Sequence, residues 1–202
     1  VCSSDLRAPD DNVRVAGADS IARARQDSIN RAQPGYVVDS ILPVEEELRR
    51  FRATIGGTPV HGLVGAAPTP DSLAAWVVRH AADADSARLA TLAIDVREFA
   101  DLYYAASPLA LPPYHQPPAL AWGLTRRAND AGIKRLLRSL GGRRIAYRGH
   151  RCGAHTARDG IRLHTGCVVD VVDESGTVHA WRLFGTIVEV NGSFKLVSFA
   201  NQ

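Results

Sequence analysis

The chain has 202 residues, 46% of them hydrophobic and 22% charged, with a formal net charge of +3 at pH 7. These values predict one globular domain of moderate size with some additional tail. No apolar run approaches the length of a membrane-spanning helix, and so small a net charge does not favour a nucleic-acid-binding protein.

The N-terminal region is predicted to be a tether. Methionine is absent, and Val1–Leu6 looks like the translated end of a common sequencing adapter. We therefore expect an environmental bacterial fragment that lacks its native start, and we leave Val1–Leu6 out of the fold prediction. Residues 1–35 carry few large apolar side chains, so their burial cannot offset the entropy lost on ordering, and we predict disorder. Such tethers often follow a signal peptide or a lipid anchor. The expected location is extracytoplasmic: periplasmic, envelope lipoprotein or secreted, with the export signal missing.

Helices are predicted next along the chain. Residues 36–69 should form a short helix, Pro43–Arg52, followed by a loop rich in glycine and proline. The α+β domain proper is predicted to cover residues 70–202. It opens with a helix that Thr69 caps and Pro70 begins. Further helices are expected near Ser86, after Asp95 and over 119–140, where Gly132 could divide the last one.

Residues 143–200 predict four antiparallel strands. Val190-Asn191-Gly192-Ser193 has the sequence of a two-residue type I′ hairpin, which would set Val190 opposite Ser193 and Ile187 opposite Leu196. Both faces of this hairpin carry apolar residues, which predicts a strand pair covered on both sides. Residues 161–172 alternate between apolar and polar, and Gly185 should mark a bulge or bend in the third strand. The stretch around 154–160 is predicted to be a loop. The fold class is therefore α+β: N-terminal helices packed on a curved four-stranded antiparallel sheet.

This arrangement resembles the nuclear-transport-factor-like superfamily, which includes ketosteroid-isomerase-like and polyketide-cyclase-like proteins of the cystatin-like α+β cone. The resemblance covers roughly residues 70–200. It rests on the order of elements and on the last hairpin, which reads Gly-x-aromatic-Lys-aliphatic at Gly192–Leu196, with Phe194 where the superfamily often has tryptophan. It implies a sheet that the helices close around an apolar pocket, and a homodimer through the sheet in some members. Some members carry out acid–base chemistry with a pocket Asp or His; others only bind.

The catalytic candidates that this resemblance suggests are Asp170, His164 and Tyr103. A proton-transfer site needs an acid or base with a pKa tuned by burial near a tyrosine or carboxylate. Further polar groups are available at Tyr104, Tyr114 and His179. The alternative interpretation is structural, with tyrosines at the edge of the core and histidines on a solvated strand face.

Cys152 and Cys167 lie on predicted neighbouring strands, where a register that sets them opposite each other permits a disulfide. An exported protein favours the bridge; two reduced, buried cysteines in a cytoplasmic protein are the alternative. The histidines at 150, 155 and 164 could join these cysteines around a metal, but the spacing fits no zinc pattern. We predict no metal site.

Arginines dominate residues 134–158, a segment without an acidic residue. This segment could bind an anionic ligand, or it could be a solvated edge partly paired with the acidic helix at 45–47. The anion-binding candidates are Arg138, Arg143, Arg144, Arg148 and Arg151.

Motifs typical of nucleotide-binding proteins, zinc proteases and serine hydrolases are absent, so no cofactor is predicted. The first hypothesis is an exported, non-enzymatic domain that binds a small apolar or anionic molecule or a partner protein. The alternatives are a ketosteroid-isomerase-like or cyclase-like enzyme and an anion-binding module; a nucleic-acid partner is disfavoured.

Overall fold

The computed structural model describes residues 42–199 and, upstream of them, residues 21, 24–26, 28 and 29, which are helical. Contacts divide the chain into two compact units, Val1–Leu42 and Pro43–Gln202. The predicted tether therefore lies mostly outside the described residues. All elements below belong to the second unit. Within the described part of the chain, every helix is too short or too polar to cross a bilayer.

Five α-helices come first in the described part of the second unit, with short 3₁₀ helices at Tyr104–Ala106 and Pro108–Ala110 between the last two of them. Helix α2 begins as predicted: Pro70 occupies its first turn and the Thr69 hydroxyl accepts a hydrogen bond from the Ser72 amide at 3.0 Å. Helix α4 starts with a capping box between Asp95 and Glu98, then continues as a π-helical turn, Phe99–Tyr103. The helix bounds are α1 Val44–Ile55, α2 Pro70–Ala82, α3 Ser86–Thr91, α4 Val96–Glu98 and α5 Pro118–Leu140.

Seven strands follow, and they form two antiparallel sheets. One sheet has the order β1-β4-β5 and the other the order β2-β3-β6-β7. The strand bounds are β1 Ile145–Arg151, β2 Ala154–Arg158, β3 Ile161–Thr165, β4 Val168–Asp173, β5 Val178–Trp181, β6 Ile187–Val190 and β7 Ser193–Leu196. The α+β class is confirmed. The expected single curved sheet of four strands is confirmed only in part, because the strands are distributed over two sheets.

One sharp bend explains most of this difference. The register of β1 with β4 pairs Arg151 with Val168, and that of β2 with β3 pairs Ala154 with Thr165. The two pairings follow the same register, but the ladder between them is interrupted at residues 152–153 and 166–167, where both segments bend. At that point the Sγ atoms of Cys152 and Cys167 lie 2.02 Å apart, the distance of a disulfide bond. The predicted strand over 161–172 is thus β3 and β4 on either side of the bend. The predicted loop at 154–160 was wrong, because Ala154–Arg158 pairs along β3.

The last hairpin has the predicted register, with Val190 opposite Ser193 and Ile187 opposite Leu196. Ile187 and Val188 face opposite sides of the sheet and are both fully buried, which confirms that the hairpin is covered on both sides. The chain bends at Gly185, as predicted, and this break separates β5 from β6. The free edge of β7 is closed by backbone hydrogen bonds from Ala67 and from the segment 92–94.

Two apolar clusters form the core. The first lies between helices α2, α3 and α5 and strands of both sheets, among them β4, β6 and β7. The second lies between helices α1 and α4 and the opposite face of the four-stranded sheet, where Phe99 packs against three aromatic rings within 5.8 Å.

A buried ion pair ties helix α4 to strand β7. The Lys195 ammonium donates to both carboxylate oxygens of Glu98 at 2.8 and 3.1 Å, and the two residues are 5% and 0% exposed. Glu98 also accepts hydrogen bonds from the Val64 and Asp95 amides at 2.6 and 2.9 Å. The carboxylate thus has a partner for each oxygen, which the burial of a charge requires.

Helix α5 holds the end of the chain through polar contacts and one close approach. The Asn129 carbonyl oxygen accepts from the Phe199 amide at 2.8 Å, and Arg135 donates to the Phe199 carbonyl at 2.6 Å. The helix runs through Gly132 without a break. A Cβ atom at Gly132 would lie 2.5 Å from the Phe199 Cβ and carbonyl oxygen. Glycine at this position therefore allows the close approach of Phe199 and does not divide the helix, as the sequence had suggested it could.

We predict that Gly132→Ala lowers the free energy of unfolding by about 1–3 kcal/mol, because the added methyl group overpacks the contact with Phe199. Gly123 lies in the same helix with no atom near its hypothetical Cβ. Gly123→Ala should therefore stabilise the protein by about 0.5–1 kcal/mol through helix propensity alone. Urea unfolding of both variants tests the close approach, and a stabilising shift in both would contradict it.

We also predict that Lys195→Met lowers the free energy of unfolding by about 3–5 kcal/mol, because it leaves the Glu98 carboxylate buried without a counter-ion. The double variant Glu98→Gln/Lys195→Met should be less destabilised than Lys195→Met alone, since it removes the unpaired charge. The control is Arg158→Met, which breaks an exposed pair with Asp159 at 3.6 Å and should change stability by less than about 1 kcal/mol. Equal losses in the single and double variants would show that packing, not charge, dominates.

Candidate functional site

The structure separates the five predicted anion-binding arginines. Arg138 and Arg143 line one cleft. Arg144 lines neighbouring grooves and lies 3.9 Å from Glu174. Arg148 is the extra residue of a β-bulge and is exposed. Arg151 donates to both oxygens of Asp170 at 2.9 Å, so its charge is already paired.

The cleft lies between the last turns of α5 and the end of β5 and has a volume of about 490 Å³. Its floor is apolar: Leu136, Leu140 and Leu183 are buried there, beside the half-buried Trp181. Arginines form its rim. The full lining is Arg135, Leu136, Arg138, Ser139, Leu140, Arg143, Trp181, Arg182 and Leu183. The arrangement combines an apolar surface with several cationic donors.

Local structure explains how these side chains converge. Arg135, Arg138 and Ser139 are three and four positions apart on α5, so they share one face of the helix. The helix ends at Leu140, and Gly142 takes a positive φ of 74° that turns the chain back toward Arg143. Arg182 follows β5 at the point where the strand pairing stops.

Two of these residues, Trp181 and Arg182, were missed by the sequence analysis, and Arg135 was part of the predicted anion-binding segment 134–158 but not one of its five candidates. The spacing of Arg135 and Arg138 at i and i+3 was a signal that could have placed both on one helix face. Trp181 and Arg182 come from a strand more than forty positions further along the chain. Only the tertiary fold brings that strand to the end of α5.

The electrostatics of the cleft favour an anion. None of its lining residues is acidic. A neighbouring groove, which shares Arg143 and Trp181 with the cleft, contains Asp173 and Glu174. Asp173 is engaged within its own turn: hydrogen bonds from the Ser175 hydroxyl and from His179, at 2.6 and 2.7 Å, hold its pKa well below the usual range. Its carboxylate is therefore committed to the β4–β5 turn.

The three catalytic candidates lie in different parts of the fold. Asp170 is on β4, bonded to Arg151. His164 is on β3, in the other sheet, and its Nε2 lies 2.9 Å from Glu189. Tyr103 is in the second core cluster, where burial raises its pKa and its hydroxyl accepts from Ser107 at 3.3 Å. The structure does not bring these side chains together.

The other polar candidates have structural partners or are exposed. Tyr104 donates to the Gln116 carbonyl at 2.5 Å. Tyr114 is an exposed loop residue. His179 stacks on Trp181 at a centroid distance of 5.1 Å while it contacts Asp173, so it lies next to the arginine cleft.

A polar cluster that the sequence did not predict joins α2 to β1. Tyr147 donates to Asp71 at 2.6 Å, and the Nδ1 atom of His150 lies 3.0 Å from the Tyr147 hydroxyl. The bulge at Arg148 causes this, because the extra residue places Tyr147 and His150 on the same face instead of opposite faces. The Tyr147 bond lowers the Asp71 pKa, while burial first and Asp71 second raise the Tyr147 pKa. Neither shift produces a base poised near neutral pH.

Comparison with known proteins leaves the site to be interpreted from its own geometry. No family model matches this sequence. Neither a curated protein nor a solved structure matches it.

Proposed function

We propose that this domain binds a small organic anion with an aromatic or aliphatic portion in the arginine cleft, without carrying out chemistry on it. The observation that carries the proposal is the cleft lining: arginines around a floor of leucine and tryptophan, with no acidic residue among them. The volume of about 490 Å³ is in the range typical of small-molecule sites.

The chemistry of the lining indicates the class of ligand. Guanidinium groups bind carboxylates, sulfonates and phosphates through paired, charge-assisted hydrogen bonds. Trp181 and the leucines offer apolar area for the rest of the molecule, and an indole can also stack on a planar ligand. A polyanion without an apolar part would leave this floor unused, and a neutral apolar molecule would leave the guanidinium groups of Arg138 and Arg143 without an anion.

The enzyme alternative has less support. Its three candidate side chains lie apart, and no described acid or base other than arginine lines the cleft. The helices and antiparallel sheets remain in keeping with the proposed relationship to the nuclear-transport-factor-like superfamily, whose members include non-catalytic binders. A homodimer through the sheet also remains a proposal.

We propose an extracytoplasmic location, which the disulfide-distance pair Cys152–Cys167 supports because such bonds persist in oxidising compartments. In a Cys2→Ser variant exported to a bacterial periplasm, we predict no free thiol in the unfolded protein before reduction and two after reduction. A thiol-reactive chromophore measures both states. Two free thiols before reduction would overturn the bridge and remove this support for export.

Titration calorimetry with 2-naphthalenesulfonate tests the binding proposal, with 2-naphthalenemethanol as the uncharged analogue. We predict that the sulfonate binds, that the alcohol binds at least tenfold more weakly, and that Arg138→Gln and Arg143→Gln each weaken sulfonate binding by about tenfold or more. The reason is that a hydrogen bond to a charged group contributes about 1.5–3 kcal/mol. Affinity should also fall as salt is raised.

Arg126→Gln and Arg127→Gln are the matched controls. They remove the same charge from exposed positions of α5 that do not line the cleft. Both should leave the affinity within about twofold of the unsubstituted protein. Equal weakening by all four variants, or equal binding of the sulfonate and the alcohol, would overturn the proposal.

A further inference from the structure

The exposed part of the four-stranded sheet carries a pair of histidines directly across from each other. His155 on β2 and His164 on β3 are register partners. Directly opposed residues on antiparallel strands have Cβ atoms about 4.5–5.5 Å apart. The two imidazole rings accordingly lie with their centroids 6.2 Å apart and their planes 39° apart.

This separation suits two imidazoles that share one metal ion. A metal–nitrogen bond is about 2.0–2.1 Å long, and the centre of an imidazole lies roughly 1.1 Å behind its nitrogen. Two rings on one ion therefore have centroids about 4.5–5.2 Å apart at the usual bond angles of about 90–109°, and about 6.4 Å apart when the two metal–nitrogen bonds are in line. The observed 6.2 Å lies inside the outer limit, so metal binding requires the exposed His155 ring to rotate toward His164.

Glu189 orients one of the two rings. Its carboxylate Oε2 lies 2.9 Å from the Nε2 atom of His164, and the Arg162 guanidinium holds the same carboxylate through contacts of 3.0 Å to both oxygens. Because a carboxylate oxygen accepts, the hydrogen bond to Glu189 places a ring proton of His164 on Nε2 and leaves Nδ1 as the nitrogen available to a metal. Histidines that bind metals usually donate their other ring N–H to a carboxylate in this way.

His155 supplies the second nitrogen. It is exposed, and no described residue makes a hydrogen bond to its ring. We propose that His155 and His164 bind one divalent late transition metal ion, Cu²⁺ most tightly, with Glu189 as the carboxylate that positions His164. The order of affinity for such a nitrogen site is Cu²⁺ above Ni²⁺ and Zn²⁺.

The site has two protein ligands and leaves the remaining coordination positions to water or to an external ligand. No set of three or more His, Cys, Asp or Glu side chains in the described part of the chain is arranged to hold a metal. Cys152 and Cys167 are joined to each other and are not available as thiolate ligands. The histidine pair is separate from the arginine cleft, because neither His155 and His164 nor Glu189 lines that cleft.

Titration with Cu²⁺ in the presence of glycine as a weak competitor tests the proposal. We predict one high-affinity equivalent in the unsubstituted protein, which is lost in both His155→Asn and His164→Asn. Glu189→Gln should weaken it by about 10- to 100-fold, the usual effect of removing a positioning carboxylate. The electron paramagnetic resonance spectrum of the bound Cu²⁺ should show coupling to two imidazole nitrogens.

His179→Asn is the matched control, because His179 also lies on a strand and contacts a carboxylate, Asp173 at 2.7 Å, but has no histidine across from it. This variant should keep the high-affinity equivalent. Substitution at the exposed position 155 should leave the fold intact, which circular dichroism checks. The proposal is overturned if His155→Asn and His164→Asn retain the equivalent, if His179→Asn loses it, or if the spectrum shows coupling to fewer than two imidazole nitrogens.

Discussion

The bend at Cys152 and Cys167 is the constraint on which the rest of the structure depends. The segments 145–158 and 161–173 pair in one register on both sides of this point and change direction together there. The pairs β1–β4 and β2–β3 therefore belong to two different sheets. The bond between the sulfur atoms keeps the two chains in register where the hydrogen-bonded pairing is interrupted. On one side of the bend the ladder packs under α2; on the other it extends β2 into solvent, with every residue exposed. The same bend therefore places β1 and β4 under α2 and leaves β2, which carries His155, exposed to solvent.

The buried ion pair of Glu98 and Lys195 is part of a second structural constraint, which concerns the free edge of β7. An unpaired strand edge invites association with other chains, and here the loop at Ala67 and the segment leading into α4 cover it. The pair anchors Glu98, the last residue of α4, to Lys195 on β7. A buried ion pair rarely adds net stability compared with apolar residues of the same shape, but it penalises any arrangement that separates the charges. We infer that its role is to fix the position of α4 relative to the sheet.

The sequence predicted local features well and tertiary features poorly. Thr69 as a helix cap and the register of the hairpin at Asn191–Gly192 follow from rules that involve only neighbouring residues, and both were confirmed. The bulge at Arg148 depends on the partner strand, whereas simple alternation along β1 would place Tyr147 and His150 on opposite faces. The sequence shows the run of arginines at 134–158, but it does not show which of them share a cleft and which pair with carboxylates. Whether an arginine meets Asp170, as Arg151 does, or an apolar floor, as Arg138 does, depends on elements distant in the sequence.

The pairing of arginines with carboxylates elsewhere in the domain is the strongest reason to regard the arginine cleft as a binding site. Other arginines of the described chain meet carboxylates, including Arg52 with Asp101 at 2.8 Å and Arg162 with Glu189 at 3.0 Å. The cleft instead gathers guanidinium groups around an apolar floor without an acidic lining residue. Like charges brought together reduce the stability of a fold. Local departures from the rules that stabilise the rest of a protein are expected at functional sites. An anion with an apolar portion would satisfy both parts of this cleft.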